Sequence, residues 1–297
     1  MKGPTVSLQD RLSFLLLPYV PLHDLQESII DGSMDLAIGE ASQLTVVLSD
    51  PKGMIITSKN LNVNSLVSWG TVKFTIAELT HGPVDGVRAT TIVARSKGWQ
   101  ALKNSKEHRG PQKWRNISPT NVMRSEARKA GLKAVMEQTG ARGVVSRLPK
   151  GQKKGPAVST LDMADRLAGE SGFVFGEVGG TFYFASPSWL GRRKGYTVDT
   201  ADGYLLEYPT MSRNVDDRDA PRSVTLSIVG NTPQEVLMPF TAVQLKGVPW
   251  KFDGRYIVNT VTIPFGRADP GTVELVAPKD PKKEPRETDG TKEGDGK

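Results

Sequence analysis

Strict alternation of apolar and polar side chains marks the first third of the chain. In "SQLTVVLSD" Leu44, Val46 and Leu48 alternate with Thr45, Val47 and Ser49; in "GTVKFTIAEL" Val72, Phe74 and Ile76 alternate with Thr71, Lys73 and Thr75. A period of two gives a strand one dry face and one wet face. "HGPVDG", His81 to Gly86, has the residues of a turn and leads into "VRATTIVAR", so this third predicts a meander or small barrel. The signal returns after Gly195 in "GYLLEYPTM", "RSVTLSIVG", "FTAVQLKG" and "GRYIVNTVTIPF". There Val224, Leu226 and Ile228 alternate with Thr225 and Ser227, and Tyr256 and Val258 alternate with Ile257 and Asn259. A second β-domain of similar style is expected.

A different grammar lies between the two. Ser118 can cap a helix, Pro119 suits its first turn, and Gly131 can end it before a strand at Leu132. The same order returns 41 positions on: Ser159 caps, Asp162 stands at capping-box spacing, Gly172 stops the helix, and a strand begins at Phe173. In "GFVFGEVGGTFYFAS" Phe173 and Phe175 share one face, Phe182 and Phe184 share one face, and Val178-Gly179-Gly180 supplies a turn. This hairpin is expected to pack its rings on Leu161, Ala164, Leu167 and Ala168 of the preceding helix. The expected fold is therefore mainly β with an α+β insert. It divides into a first β-domain at 1–95, a basic arm or loop at 96–117, an insert of two helix-strand units at 118–195 and a second β-domain at 196–278. The segment 279–297 has no aromatic or branched apolar residue and reads as a disordered polyampholyte tail.

Charge is unevenly shared. The net charge of +7 is the sum of −3 over 1–94, +13 over 95–156, −3 over 157–278 and zero over the last segment. The basicity thus says where a charged partner could touch, not what the fold is. In the arm, Trp99 and Trp114 interleave with Lys103, Lys106, Arg109, Lys113 and Arg115, the mixture that stacks bases and neutralises phosphates. The plainer reading outweighs it: the tryptophans pin the arm to the protein while its charges stay solvated or face an acidic neighbour. Trp189, Arg192, Arg193 and Lys194, at the handover from insert to second β-domain, read as a junction or subunit contact.

Catalytic signals are poor. The chain has no cysteine, so disulfides, thiolate metal sites and cysteine nucleophiles are excluded. His23, His81 and His108 lie far apart, and His81 with Glu78 is better read as a solvated strand end than as half a metal site. No G-x-S-x-G elbow appears, and "KGQKKGPA" lacks phosphate-loop spacing. Asp216, Asp217 and Asp219 lack the glycine and distal glutamate of a calcium loop. The longest apolar run, ended by Pro18, is far short of a membrane span, and no secretory signal is expected. No catalytic residue, metal or cofactor is expected.

Four stretches carry a resemblance: "SQLTVVLSDPKGMI", "KEHRGPQKWRN", "STLDMADRLAGESGFVFGEVGGTFYFASPSWL" and "FDGRYIVNTVTIPFGRADPGTVELVAPKDPKKEP". Together they resemble minor tail proteins of long-tailed actinobacteriophages, a group similar to contractile-tail baseplate hubs and to the base of type VI secretion spikes. The resemblance runs from about Leu36 to Pro285 and implies two tail-tube-like β-barrels in tandem flanking the insert. It also implies a non-enzymatic structural protein of the virion, assembled in the host cytoplasm, that forms a homotrimeric ring at the tail tip. Its implied partners are the distal tail protein, the tape measure and other tail-tip proteins, with DNA passing through. Trp99, Arg109, Lys113, Trp114, Arg115, Trp189, Arg192 and Arg193 are then candidate partner or subunit contacts. The alternative is a nucleic-acid-binding protein that uses the basic arm at 95–115.

Overall fold

A computed structural model describes residues 20–21, 28–59, 61–69, 72–105, 112–140, 142–148, 155–201, 205–212, 222–228, 237–249, 251–265 and 270–280. The chain is mainly β. The first region holds β1 (Val20–Pro21), β2 (Ile29–Ala37), β3 (Gln43–Ser49), β4 (Leu66–Trp69), β5 (Val72–Val84) and β6 (Val87–Ser96). The middle holds α1 (Lys97–Lys103), β7 (Lys113–Ile117), α2 (Pro119–Lys129), β8 (Lys133–Met136) and β9 (Gly143–Ser146). It continues with α3 (Thr160–Ser171), β10 (Val174–Val178), β11 (Thr181–Ala185) and α4 (Pro187–Arg192). The last region holds β12 (Tyr196–Asp199), β13 (Thr210–Ser212), β14 (Ser223–Ile228), β15 (Ala242–Lys246), β16 (Gly254–Phe265) and β17 (Gly271–Val276).

The alternation read from the sequence is the alternation of burial in β3, β5 and β14, except that Val47, read with the polar set of β3, is buried. Leu44, Val46 and Leu48 of β3, Phe74 and Ile76 of β5, and Val224 and Leu226 of β14 are fully enclosed. The two β-regions meet edge to edge. Their strands form one sheet in the order β1-β4-β5-β6-β3-β2-β16-β17-β14-β13, with β15 on β16 and β12 on β15. The seam is the antiparallel ladder from Thr260↔Ala37 to Phe265↔Gly32, and one apolar core draws on both regions. At the seam Gly32 has φ 152°, and a Cβ there would lie 2.3 Å from the Thr45 carbonyl oxygen, so only glycine lets β3 approach.

Three local expectations change. His81 to Val84 continue β5, paired with Thr90 to Val87, and the turn shrinks to Asp85 and Gly86, both at positive φ. Pro83 is tolerated there because, past Ile76, β5 has a strand partner on one side only among the described residues. The basic arm is not a plain loop: Ser96 ends β6 and caps α1 by accepting from Trp99 N–H, while β7 pairs with β9. Helix α1 escaped the periodicity reading because it is short and turns only Gly98 and Leu102 inward. Ile257 was expected on the wet face of β16 but is buried, since α4 packs over that strand. Residues 1–19, Asp216 to Asp219 and almost all of the expected polar tail lie outside the described residues.

Gly32→Ala is expected to lower the unfolding free energy by about 1–3 kcal/mol, read by chemical denaturation, because the side chain meets backbone rather than a movable neighbour. An unchanged midpoint would refute the close approach of β3 to Gly32.

Candidate interaction site

The insert is built around its hairpin. Ser118 and Ser159 cap α2 and α3, the second through a full capping box with Asp162, and Gly172 closes α3 in the left-handed conformation. Gly179 and Gly180, both at positive φ, form the two-residue turn between β10 and β11. β8 adds to β11 in parallel. Phe173, Phe182 and Phe184 are buried in the insert core with Leu161, Ala164, Leu167 and Ala168 of α3, as expected from the sequence. The opposite face of the hairpin belongs to the main core: Val178 and Ala185 are buried there, and Tyr183 stacks on Phe240 at 4.4 Å between ring centroids. Gly176 makes room for that ring, because a Cβ would lie 2.7 Å from Phe240 Cζ.

Two carboxylates hold the insert from within. Glu126 and Arg147, both fully buried, form an ion pair. Arg147 also donates to Thr160 Oγ1 at 3.3 Å, and Lys129 donates to the second Glu126 oxygen at 2.9 Å. Ser105 links the end of α1 to this cluster, accepting from Thr160 N–H at 2.8 Å. Glu177 on β10 is buried beneath α1 and accepts from Ser96 Oγ, from Trp99 N–H at 3.2 Å and from Gly180 N–H at 2.8 Å. Burial pushes its pKa up to about 7, against the lowering effect of the Gly180 and Trp99 N–H groups. Neither carboxylate was singled out from sequence, although the signal exists. Glu126 falls on the same stripe as Val122, Met123 and Ala127, and Glu177 falls on the same strand face as Phe173 and Phe175.

The residues expected to make contacts fall into two groups that the fold keeps apart. Trp99 and Trp114 are half-buried against the insert core, and Trp99 lies parallel to Phe175 at 6.3 Å. Lys113 and Arg115 are exposed on β7, and Arg109 lies outside the described residues. Two acids of the insert are used within it: Glu126 pairs with Arg147 and Lys129, and Glu137 accepts from Ser186 N–H at 2.9 Å. The second group sits at α4, which is capped by Ser186 and carries Trp189 against the main core. Arg193 lies over the Trp189 ring at 5.2 Å. Arg192, Arg193 and Lys194 line a cleft of about 370 Å³ with Thr197, Gln244 and Arg255, the last of which sequence reasoning missed. Gly195 threads beside β15, where a Cβ would strike the Ala242 carbonyl.

His81 Nδ1 lies 3.0 Å from Thr90 Oγ1 and 3.7 Å from buried Asp50, turned away from the pairing with Glu78 weighed above. Among the described residues no group of three or more His, Asp or Glu is placed to hold a metal, and no helix is long and apolar enough to cross a membrane.

The architecture, a mainly β chain carrying a helix-and-hairpin insert, is similar in fold to solved phage tail proteins and to a type VI secretion component. No protein-family model matches the chain, and no curated protein matches it in sequence. Among solved structures it is similar to the 43 kDa tail protein of prophage MuSo2 from Shewanella oneidensis. That match has a TM-score of 0.55 at 8% identity and covers 84% of this chain and 92% of that one. The tail protein of Neisseria meningitidis MC58 gives 0.56 at 11% identity over 84% and 92%. The E. coli c3393 protein gives 0.56 at 13% identity over 87% and 77%; it is described as a type VI secretion component with structural similarity to the T4 tail proteins gp27 and gp5. At these identities the likeness is one of fold.

Glu177 makes a pH signature. The folded chain holds this proton up to about pH 7, whereas the unfolded chain releases it near 4.5, so stability falls as pH rises through that window. The difference in unfolding free energy between the native protein and Glu177→Gln should fall by up to about 3 kcal/mol from pH 4 to pH 8, measured by denaturant titration. A flat difference would contradict the assignment. Glu126→Ala strands Arg147 and is expected to cost about 3–5 kcal/mol in the same measurement, against under about 1 kcal/mol for an exposed control such as Lys133→Ala.

Proposed function

We propose that the protein is a structural subunit of a phage tail tip. In this reading three copies form a ring that adapts the tail tube or distal tail ring to the host-facing tip and lets DNA pass. The observation that carries it is the fold match to tail proteins across more than four fifths of the chain, both β-regions and the insert included. The charge division gives the reading a mechanism. Phosphate contacts supply most non-specific DNA affinity, so β-regions of net −3 each suit a lumen that DNA crosses without sticking. The cationic insert would then face neighbouring tail proteins. Its partners would be the distal tail protein, the tape measure and other tip proteins, in a virion assembled in the host cytoplasm.

Nucleic-acid binding by the arm at 95–115 is the weaker reading. Both of its tryptophans spend ring area on the insert core, which reduces the free stacking surface that single strands require.

Native mass spectrometry with class averages of the purified protein, alone and with its tube proteins, tests the ring. A threefold particle with a central hole is the expected result; a compact monomer under every condition would overturn the proposal. Salt-sensitive, high-affinity DNA binding abolished by Lys113→Ala/Arg115→Ala would favour the alternative.

A further inference from the structure

The cleft at the end of α4 has a defined construction. Across β12, β15 and β16 the residues Thr197, Gln244 and Arg255 stand opposite one another, so they form one polar row on the face that α4 covers nearby. The alternate row, Val198, Leu245 and Gly254, continues inward, where Val198 and Leu245 are buried. Helix α4 packs over Ile257 through Gly191 and stops there, leaving the polar row as a floor and Arg192 to Lys194 as a wall. Arg255 crosses toward that wall and donates to the Gly191 carbonyl at 3.3 Å. Among the described residues none of these four cations has an ion-pair partner, and no acid lines the cleft.

We propose that this cleft binds an extended, carboxylate-rich polypeptide segment of a neighbouring tail protein. Three guanidinium groups favour ligands that accept forked hydrogen bonds, and carboxylates do so. Gln244 and Thr197 on the floor add donors and acceptors suited to a peptide backbone. A nucleic acid would fit the same charge but lacks a platform: the Trp189 face is covered by Arg193, and its body packs on the core. The exposed face of α2, with Arg124, Arg128 and Lys129, is a poorer candidate. Lys129 there is already paired with Glu126, and Arg124 is held by Asn121 at 3.1 Å.

This inference rests on reading Trp189 to Lys194 as a partner contact, and it stands or falls apart from ring formation. The test is fluorescence anisotropy of a labelled oligoglutamate peptide of about six residues, roughly 20 Å when extended, against the full purified chain. Binding that weakens with salt is expected, with a loss of at least about tenfold in Arg192→Ala/Lys194→Ala/Arg255→Ala and little change in Arg124→Ala/Arg128→Ala. All three cleft positions are exposed, so circular dichroism and melting should match the native protein. Equal binding by the cleft variant, or none by the native chain, overturns the proposal. A single-stranded oligonucleotide that binds the cleft more tightly than the peptide overturns the choice of ligand. Particle mass is measured on the same samples, so a ring that ignores oligoglutamate would sink this inference and leave the ring intact.

Discussion

Burial of one short hairpin on both faces is the constraint that joins the molecule. β10 and β11 turn Phe175, Phe182 and Phe184 into the insert core and Val174, Val178, Tyr183 and Ala185 into the core of the main sheet. A strand pair with two dry faces has no freedom of register, since a slip by one residue would exchange the two sets completely. That explains the glycines. Gly179 and Gly180 fix the register by closing a two-residue turn, and Gly176 leaves the space into which Phe240 packs. The insert is thus keyed to the sheet by side chains, not tethered by its linkers alone.

Polar chemistry completes what packing begins. Glu177 sits at the meeting point of β6, α1 and the hairpin turn, where three donors converge on it. Burying an ionised carboxylate there costs more than those donors return, which is why the proton is retained to near neutrality. Glu126 and Arg147 solve the same problem by pairing, with Thr160 accepting from Arg147 and Ser105 hydrogen-bonded to Thr160. Such a cluster contributes less to net stability than apolar residues of equal volume could, but it penalises any arrangement that separates α1, α2 and α3.

Local rules carried the sequence reading a long way. Ser118, Ser159, Asp162 and Gly172 act through neighbours within a few residues, so their roles were legible, as was the alternation in β3, β5 and β14. The β2–β16 seam was not, because it pairs residues more than 200 positions apart and nothing local distinguishes Gly32 from a loop glycine. Arg255 was missed for a related reason: it belongs to the cleft only through its register with Gln244 and Thr197. Tryptophans and basic runs drew attention as binding signals. Trp99 and Trp114 are half-buried core edges, while Trp189 positions Arg193.

The distribution of charge follows from where each acid is used. In the basic segment the described acids Glu126 and Glu137 are used within the insert, Glu126 by Arg147 and Lys129 and Glu137 by Ser186 at the cap of α4, so three acids against sixteen bases leave the segment strongly cationic. A charged surface of one sign is costly in self-repulsion and is tolerated where a partner of opposite sign relieves it. The cleft at α4 concentrates that argument. Arg192, Arg193 and Lys194 lie in or just after the C-terminal turn of α4, where the dipole already favours positive charge, so the fold supports them without needing an acid of its own. A site assembled in this way is left with an unmet preference for anions, and its concave shape decides which anions can meet it.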